Sequence, residues 1–142
     1  MSEELVQLVE KGYKAWNAGD RGWVLDHMSP DVEWITPEAD PDPGTYRGHQ
    51  GVEEYWAQWR AAVGQLNFAI KEMLDAGDNV VVVARRQGRG EHSGLEISDR
   101  VIQVFHFEGD VCTSVHEYYD RDAALGSVRG DSAQTVDRSE AG

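Results

Sequence analysis

The hydrophobic pattern of the chain changes its period about halfway along its length. Up to Gly64, apolar side chains recur at the spacing of three and four residues that marks amphipathic helices. From Leu66 onward they alternate with polar side chains, as strands do. Helices that precede a run of strands are typical of an α+β domain whose helices cover one face of an antiparallel sheet. The chain has 142 residues, which is enough for one such domain and too few for two.

The first half predicts three helices and one short strand. The first helix has its apolar stripe in residues 5–16. The second is expected to run through Met28 and to end before Pro30, because proline cannot continue a helix. The side chains of residues 31–36 alternate in the pattern of a strand. The third helix is expected to end at Gly64, because glycine is favoured at the position after a helix.

The second half predicts a meander of four antiparallel strands and a tail. The strands are expected at residues 66–74, 79–90, 95–107 and 111–120. A sheet that curls around helices leaves a cone, and the mouth of a cone is a natural pocket. We therefore expect one domain over residues 1–126, with three N-terminal helices packed on a curved, mainly antiparallel sheet. The small, polar residues 127–142 are expected to form a disordered tail.

Charge and cysteine content limit the classes of partner and the compartment. The chain has 26 acidic against 13 basic residues and a formal net charge of -13. Such a surface repels phosphate backbones and anionic lipids, so neither nucleic acid nor a membrane is expected as a partner. The single cysteine, Cys112, fits a reducing compartment. The N-terminus is acidic where a signal peptide would be basic, and no apolar stretch is long enough to span a membrane. We therefore expect a soluble, cytoplasmic protein.

The last predicted hairpin assigns side chains to the two faces of the sheet. With Glu108-Gly109-Asp110 as its loop, Gln103 would oppose Val115 and Val101 would oppose Glu117. Alternation then gives an inner face of Val101, Gln103, Phe105, Val115, Glu117 and Tyr119. The outer face would hold Ile102, Val104, His106, Cys112, His116 and Tyr118.

Glu117 is the leading candidate for a catalytic residue. A carboxylate among aromatic rings is desolvated, which suits general acid–base chemistry, and Gln103 would lie on the same face. The alternative is a glutamate at the rim, paired with an arginine such as Arg86. Arg86 is the third catalytic candidate, as a partner of Glu117 or a ligand for a substrate oxygen. Alternation does not decide whether Arg85 or Arg86 points inward.

Aromatic side chains supply the candidate binding wall. Many large rings around one cone suggest an apolar or ring-shaped ligand, although each ring alone is more often plain core. The expected substrate-binding residues are Tyr13, Trp16, Trp34, Tyr55, Trp59, Phe105 and Tyr119. The five histidines show no metal-ligand spacing, and no nucleophile elbow, phosphate loop or dinucleotide fingerprint occurs. No metal or cofactor is therefore expected.

Five short segments give the chain a family resemblance. They are Trp16-Asn17-Ala18-Gly19-Asp20, Asp31-Val32-Glu33-Trp34, Tyr46-Arg47-Gly48-His49-Gln50-Gly51-Val52, Asp75-Ala76-Gly77-Asp78-Asn79-Val80-Val81 and Glu117-Tyr118-Tyr119-Asp120-Arg121. Through them the chain, from Leu5 to Gly126, resembles the SnoaL-like branch of the nuclear transport factor 2-like superfamily, which has the polyketide cyclase and ketosteroid isomerase type of fold. The resemblance implies the cone, a homodimer through the outer sheet face, and a small apolar ligand of polyketide, terpenoid or steroid type.

The resemblance leaves the activity open, because the superfamily contains enzymes and binding domains. Ketosteroid isomerases have an aspartate where this chain has Thr36, and a second where it has Gln103, so their reaction is not expected. Epoxide hydrolases of the superfamily use an Arg-x-Asp motif, whose aspartate Arg86-Gln87-Gly88 lacks. Glu117 could supply the one acid–base carboxylate of a SnoaL-type cyclase. The sequence thus implies a cofactor-independent cyclase, isomerase or hydrolase, or else a non-catalytic ligand-binding or interaction domain.

Overall fold

The computed structural model describes residues 2–37, 40, 43–90, 94–128 and 134–136. Its helices are α1 (Ser2–Asn17), α2 (Arg21–Asp26), α3 (Gly48–Val63) and α4 (Arg121–Ser127). Its strands are β1 (Met28–Ile35), β2 (Thr45–Arg47), β3 (Asn67–Ala76), β4 (Asn79–Arg89), β5 (Glu96–Glu108), β6 (Val111–Tyr118) and β7 (Gln134–Val136). No helix in these ranges is long and apolar enough to cross a membrane.

The described strands form one sheet in the order β2-β1-β6-β5-β4-β3-β7. All neighbouring strands are antiparallel except β1 and β6, which run parallel and place Trp34 opposite Val115. The α+β class, with helices on a mainly antiparallel sheet, is confirmed. The predicted meander is β3 to β6, and the sheet extends beyond it through β1 and β2 on one side and β7 on the other.

The second helix is shorter than predicted, and the strand after it begins earlier. α2 ends at Asp26, and β1 already starts at Met28, so Pro30 lies inside the strand. The pairing of β1 with β6 shifts register between Met28 and Glu33. Proline has no N–H to donate to a ladder, and an irregular stretch of this kind tolerates it. The prediction failed because proline excludes a helix but does not exclude a strand at a point where pairing is interrupted.

Two apolar clusters lie on opposite faces of the sheet. The large one fills the space between the sheet and helices α1, α2 and α3. The small one lies under α4, where Ala124 and Val128 pack with Ile102 and Val104. α4 therefore covers part of the outer face that was expected to form a dimer interface. Dimerisation through the rest of that face stays a prediction.

The segment expected to form a disordered tail is described only in part. Ser127 ends α4, Val128 is buried beneath it, and residues 134–136 form β7, which pairs with β3. The rest of the predicted tail, residues 129–133 and 137–142, lies outside the described residues.

Candidate functional site

The β5–β6 hairpin has a different register from the predicted one, yet all the predicted side chains except Cys112 lie on their predicted faces. Gln103 pairs with Glu117, whereas the prediction paired it with Val115. Because this difference is two residues, every side chain beyond it keeps its face. A bulge between His106 and Phe107 leaves Thr113 without a paired residue on β5. Cys112 is therefore on the inner face, against the prediction, since alternation cannot reveal an inserted residue.

A cavity of about 90 Å³ lies between the inner face of the sheet and helices α1, α2 and α3. All five tryptophans of the chain line it. So do Glu117, Arg86 and Gln103, together with all the predicted substrate-binding residues except Tyr119. Sequence reasoning missed Trp23 of α2, His27 immediately after that helix, and Phe68 of β3. The helical periodicity of α2 is visible in the sequence. Only the packing of this short helix against the rest of the protein shows that it lines the cavity.

Glu117 is the centre of a buried hydrogen-bond chain. Its side chain is 2% exposed. The Tyr55 hydroxyl donates to Glu117 Oε1 at 2.7 Å, and Gln103 Nε2 donates to Glu117 Oε2 at 2.8 Å. The Tyr13 hydroxyl in turn donates to Gln103 Oε1. These contacts join α1, β5, β6 and α3 around one carboxylate.

The two tyrosines of this hydrogen-bond chain, Tyr13 and Tyr55, are held in their protonated form. Burial, and next the negative charge of Glu117, raise the pKa of Tyr13 and of Tyr55 well above the usual value of a phenol. Both hydroxyls therefore remain hydrogen-bond donors at neutral pH. Together with Gln103, they fix the orientation of the Glu117 carboxylate.

Arg86 is the arginine that points inward, and Asp99 holds it. Arg86 is 2% exposed, whereas Arg85 is exposed. Nε and Nη2 of Arg86 bind the two Asp99 oxygens at 3.0 and 2.8 Å, and the guanidinium lies 4.6 Å from the Trp59 ring. Burial lowers the pKa of Arg86, but the hydrogen bonds to Asp99 and Tyr119 and the charge of Glu117 outweigh it and raise that pKa overall. The expected partner was Glu117; sequence reasoning missed Asp99, which lies opposite Arg86 in the β4–β5 ladder.

Tyr119 lies outside the lining of the cavity. Its side chain is 37% exposed, and its hydroxyl donates to Asp40 Oδ1 at 2.6 Å. Its ring is 5.9 Å from the Arg86 guanidinium. Tyr119 therefore lies near the Arg86 guanidinium and is bonded to Asp40 in the connection between β1 and β2. In the described part of the chain, no group of three His, Cys, Asp or Glu side chains could hold a metal ion.

Comparison with solved structures identifies the fold. The chain is 25% identical to a nuclear transport factor 2-like protein from Burkholderia xenovorans LB400, with a TM-score of 0.69 over 91% of this chain and 98% of that one. It is 24% identical to TerC, crystallised with polyporic acid, with a TM-score of 0.71 over 87% and 97% of the two chains. A Catenulispora acidiphila protein of ketosteroid isomerase-like fold, in complex with trimethylamine, is 18% identical, with a TM-score of 0.67 over 84% and 89%.

A search among curated proteins found no relative by sequence. The sequence model of the SnoaL-like domain, in contrast, matches residues 9–115, a range that runs from α1 into β6. That range contains most of the residues that line the cavity, with Leu8 and Glu117 just outside it. The recognition made from five short segments is thereby confirmed. With its helices, its curved sheet and its apolar cavity all in agreement with that match, the chain belongs to the SnoaL-like domain family.

Proposed function

We propose that the protein binds a small, largely apolar molecule in the cavity and transfers a proton on it without a cofactor. Glu117 is the acid–base of this proposal. The observation that carries it is a buried carboxylate on the wall of an otherwise mainly apolar cavity, oriented by two hydrogen-bond donors, the Tyr55 hydroxyl and the Gln103 amide. The family supports a small-molecule site, and the finer assignment to a cyclase or an isomerase rests on this carboxylate.

Glu117 retains the capacity to accept a proton. A carboxylate offers about four lone-pair sites, and Tyr55 and Gln103 occupy two of them. Arg86 is engaged by Asp99, so protonation of Glu117 breaks no ion pair between the two. In the proposed step, Glu117 removes a proton from a carbon of the bound molecule and returns it at another position. The positive charge of Arg86 on the cavity wall stabilises the anion that forms in between.

The size of the cavity limits the substrate. A space of about 90 Å³ is well below the roughly 300–1,000 Å³ of most ligand pockets. A molecule about the size of one six-membered ring suits it better than a steroid. A larger polyketide or terpenoid would require α2 to move. α2 is the element suited to such a movement, because it has no buried residue although Trp23 and Val24 line the cavity.

The second candidate function is ligand binding without turnover. The crowding of tryptophans in a small cavity favours it, as does the use of both Glu117 oxygens by protein donors. This alternative predicts affinity for a ligand that emerges chemically unchanged. Mass spectrometry of the molecule that copurifies with the native protein would identify the ligand under either function.

Proton exchange on a simple ketone tests the catalytic proposal. The wild-type protein is expected to exchange the hydrogens next to the carbonyl of cyclohexanone for deuterium in D₂O, followed by proton NMR. Glu117→Gln should slow this exchange at least about a hundredfold, the usual contribution of a general base. Glu54→Gln, a change on the exposed side of α3, is the matched control and should retain the wild-type rate. An unchanged rate in Glu117→Gln would remove this carboxylate from the mechanism.

A further inference from the structure

The Arg86 guanidinium has two carboxylates within electrostatic reach and is bonded to one of them. Its Nε and Nη2 bind the two oxygens of Asp99 at 3.0 and 2.8 Å. Burial lowers the pKa of Arg86, the hydrogen bonds to Asp99 and Tyr119 raise it, and the negative charge of Glu117 raises it further. Among the described residues, however, no ion pair joins Arg86 to Glu117. One carboxylate therefore holds the guanidinium in the presence of a second one.

The sheet and helix α3 together fix the place of this guanidinium. Asp99 lies directly opposite Arg86 in the β4–β5 ladder, where side chains of paired residues are close neighbours. The Trp59 ring of α3 is 4.6 Å from the guanidinium, and the Tyr119 ring is 5.9 Å from it. A carboxylate that binds two nitrogens of a guanidinium fixes its orientation as well as its position. Asp99 therefore determines which way Arg86 points.

Glu117 is the carboxylate that would compete for Arg86 if Asp99 did not hold it. Arg86 is 2% exposed, and a buried cation without a partner is strongly destabilising. Of the described residues that line the cavity with Arg86, Glu117 alone has a carboxylate. A guanidinium bound there would occupy the acceptor sites that Tyr55 and Gln103 leave on Glu117. It would also favour the ionised form and so oppose the uptake of a proton.

We infer that Asp99 is a positioning residue, which keeps the Arg86 guanidinium off Glu117 and thereby leaves that carboxylate free to take up a proton. Asp99 is 36% exposed and lies outside the lining of the cavity, so it acts through Arg86 and not on the bound molecule. The same contact leaves the positive charge of Arg86 available to the anion formed in the proposed step. The inference rests on the proposed function and adds a residue to it.

The position of Arg86 in an Asp99→Asn variant tests the inference directly. This change removes the charge and keeps the shape of the side chain. In crystals of the variant, an Arg86 nitrogen is expected at about 3 Å from a Glu117 oxygen. Asp99→Glu restores the carboxylate and should keep Arg86 away from Glu117. Glu96→Gln is the matched control and should leave Arg86 in place, because Glu96 pairs with Arg89 on the same two strands but outside the cavity lining.

The pH dependence of cyclohexanone exchange gives a readout that a purely structural ion pair would not move. The titratable or charged groups that act on Glu117 are Tyr13 on α1, Tyr55 on α3 and Arg86 on β4, and Arg86 is the cation among them. A guanidinium on Glu117 favours its ionised form. In Asp99→Asn the pH of half-maximal exchange should therefore fall by about one unit or more. The plateau rate should fall about tenfold, because a paired carboxylate is a weaker base.

Arg86→Met separates the effect of the guanidinium from that of the Asp99 charge. Loss of a negative charge near Glu117 lowers the half-maximal pH by itself, whatever Arg86 does. With Arg86→Met as the background, Asp99→Asn should therefore have a clearly smaller effect than in the wild-type background. Arg86→Met alone tests the inference even where Asp99→Asn fails to fold. Because Arg86 is not paired with Glu117, its removal should raise the half-maximal pH by less than about one unit.

Three outcomes would overturn the inference. They are an Arg86 that stays in place in crystals of Asp99→Asn, an effect of Asp99→Asn on the pH profile that is the same with and without Arg86, and a rise of about one unit or more in Arg86→Met. The crystals separate this inference from the catalytic proposal. If Arg86 moves to Glu117 but wild-type protein shows no exchange, the role of Asp99 is supported and catalysis is refuted. Exchange in wild-type protein, with Arg86 unmoved in the variant, does the reverse.

Discussion

The Glu117 carboxylate is held by hydrogen-bond donors and has no ion pair with the buried arginine of the same cavity. Tyr55 and Gln103 bind its two oxygens, while Asp99 binds Arg86. Protonation of a carboxylate in such a position therefore breaks no ion pair. This is the behaviour required of a group that takes up and returns a proton in each cycle.

The sequence predicted part of this site at the level of single residues. Alternation along two strands was enough to predict that Glu117 and Gln103 share a face, because a strand has a fixed period, but it did not predict that they are paired. The contacts of Tyr13 and Tyr55 were not predictable in this way. They come from helices whose position over the sheet depends on packing between distant segments, and local periodicity contains no information about that position.

Cys112 should be an unreactive thiol in the native protein. Burial raises its pKa to about 12, against a small opposing effect of the Ser114 backbone hydrogen bond. The thiolate is the reactive form, so alkylation by iodoacetamide at pH 8 should be at least about a hundredfold slower than in the unfolded chain. Mass spectrometry of samples with and without urea measures the two rates. Equal rates would show that Cys112 is accessible in the folded state.

At the scale of elements, the end of α3 lies directly against the end of β4. Gly64 follows α3 with a φ of 70°, and a Cβ added there would lie 2.5 Å from the Arg89 carbonyl oxygen. A Cβ on Gly88 would lie 2.9 Å from the Val63 carbonyl oxygen. Glycine at both positions lets the helix reach the sheet and close one end of the cone. The sequence indicated Gly64 as a helix end, but not this approach.

Gly64→Ala should destabilise the protein more than Gly77→Ala. Both glycines have φ near 70°, but nothing lies within 4 Å of a Cβ at Gly77. Gly77→Ala therefore measures the backbone cost alone, about 1 kcal/mol. Gly64→Ala adds the contact with Arg89, and we expect a total of about 2–4 kcal/mol. Urea unfolding of both variants measures the difference. Equal losses would mean that α3 and β4 separate at little cost.

At the scale of the whole molecule, the sheet joins the two halves of the chain through a parallel pair of strands. β1 comes from the helical half and lies beside β6, the last strand of the meander. The periods predicted the helices and the meander well. The hydrophobic periods did not predict the pairing of β1 with β6, because the neighbours of a strand depend on contacts between residues far apart in sequence. Trp34 reaches the cavity wall through it.

Stability should fall at alkaline pH because buried groups must remain protonated. The pKa values of Tyr13, Tyr55 and Cys112 are all raised in the folded state, chiefly by burial. A raised pKa gives stability that is complete below the unfolded-state value and is lost as the pH rises above it. The free energy of unfolding should therefore decrease from about pH 9, where unfolded cysteine begins to ionise, and more steeply above about pH 10, where unfolded tyrosine does so.

The Tyr13→Phe variant tests the origin of that loss. It removes one of the three groups, so its free energy of unfolding should decline less steeply with pH in this range. At neutral pH it should be about 1–3 kcal/mol less stable, since Gln103 loses its hydrogen-bond donor. Urea titrations at pH 7 to 11 give both values. An alkaline slope identical to that of the wild type would exclude Tyr13 as a source.

The chain of hydrogen bonds from Tyr13 through Gln103 and Glu117 to Tyr55 also connects elements of the fold. It joins α1 and α3 to the adjacent strands β5 and β6. A descendant that exchanged Glu117 for another residue would lose the connection between these four elements. A replacement of Glu117 must therefore be accompanied by changes at its hydrogen-bond partners if the fold is to keep its stability.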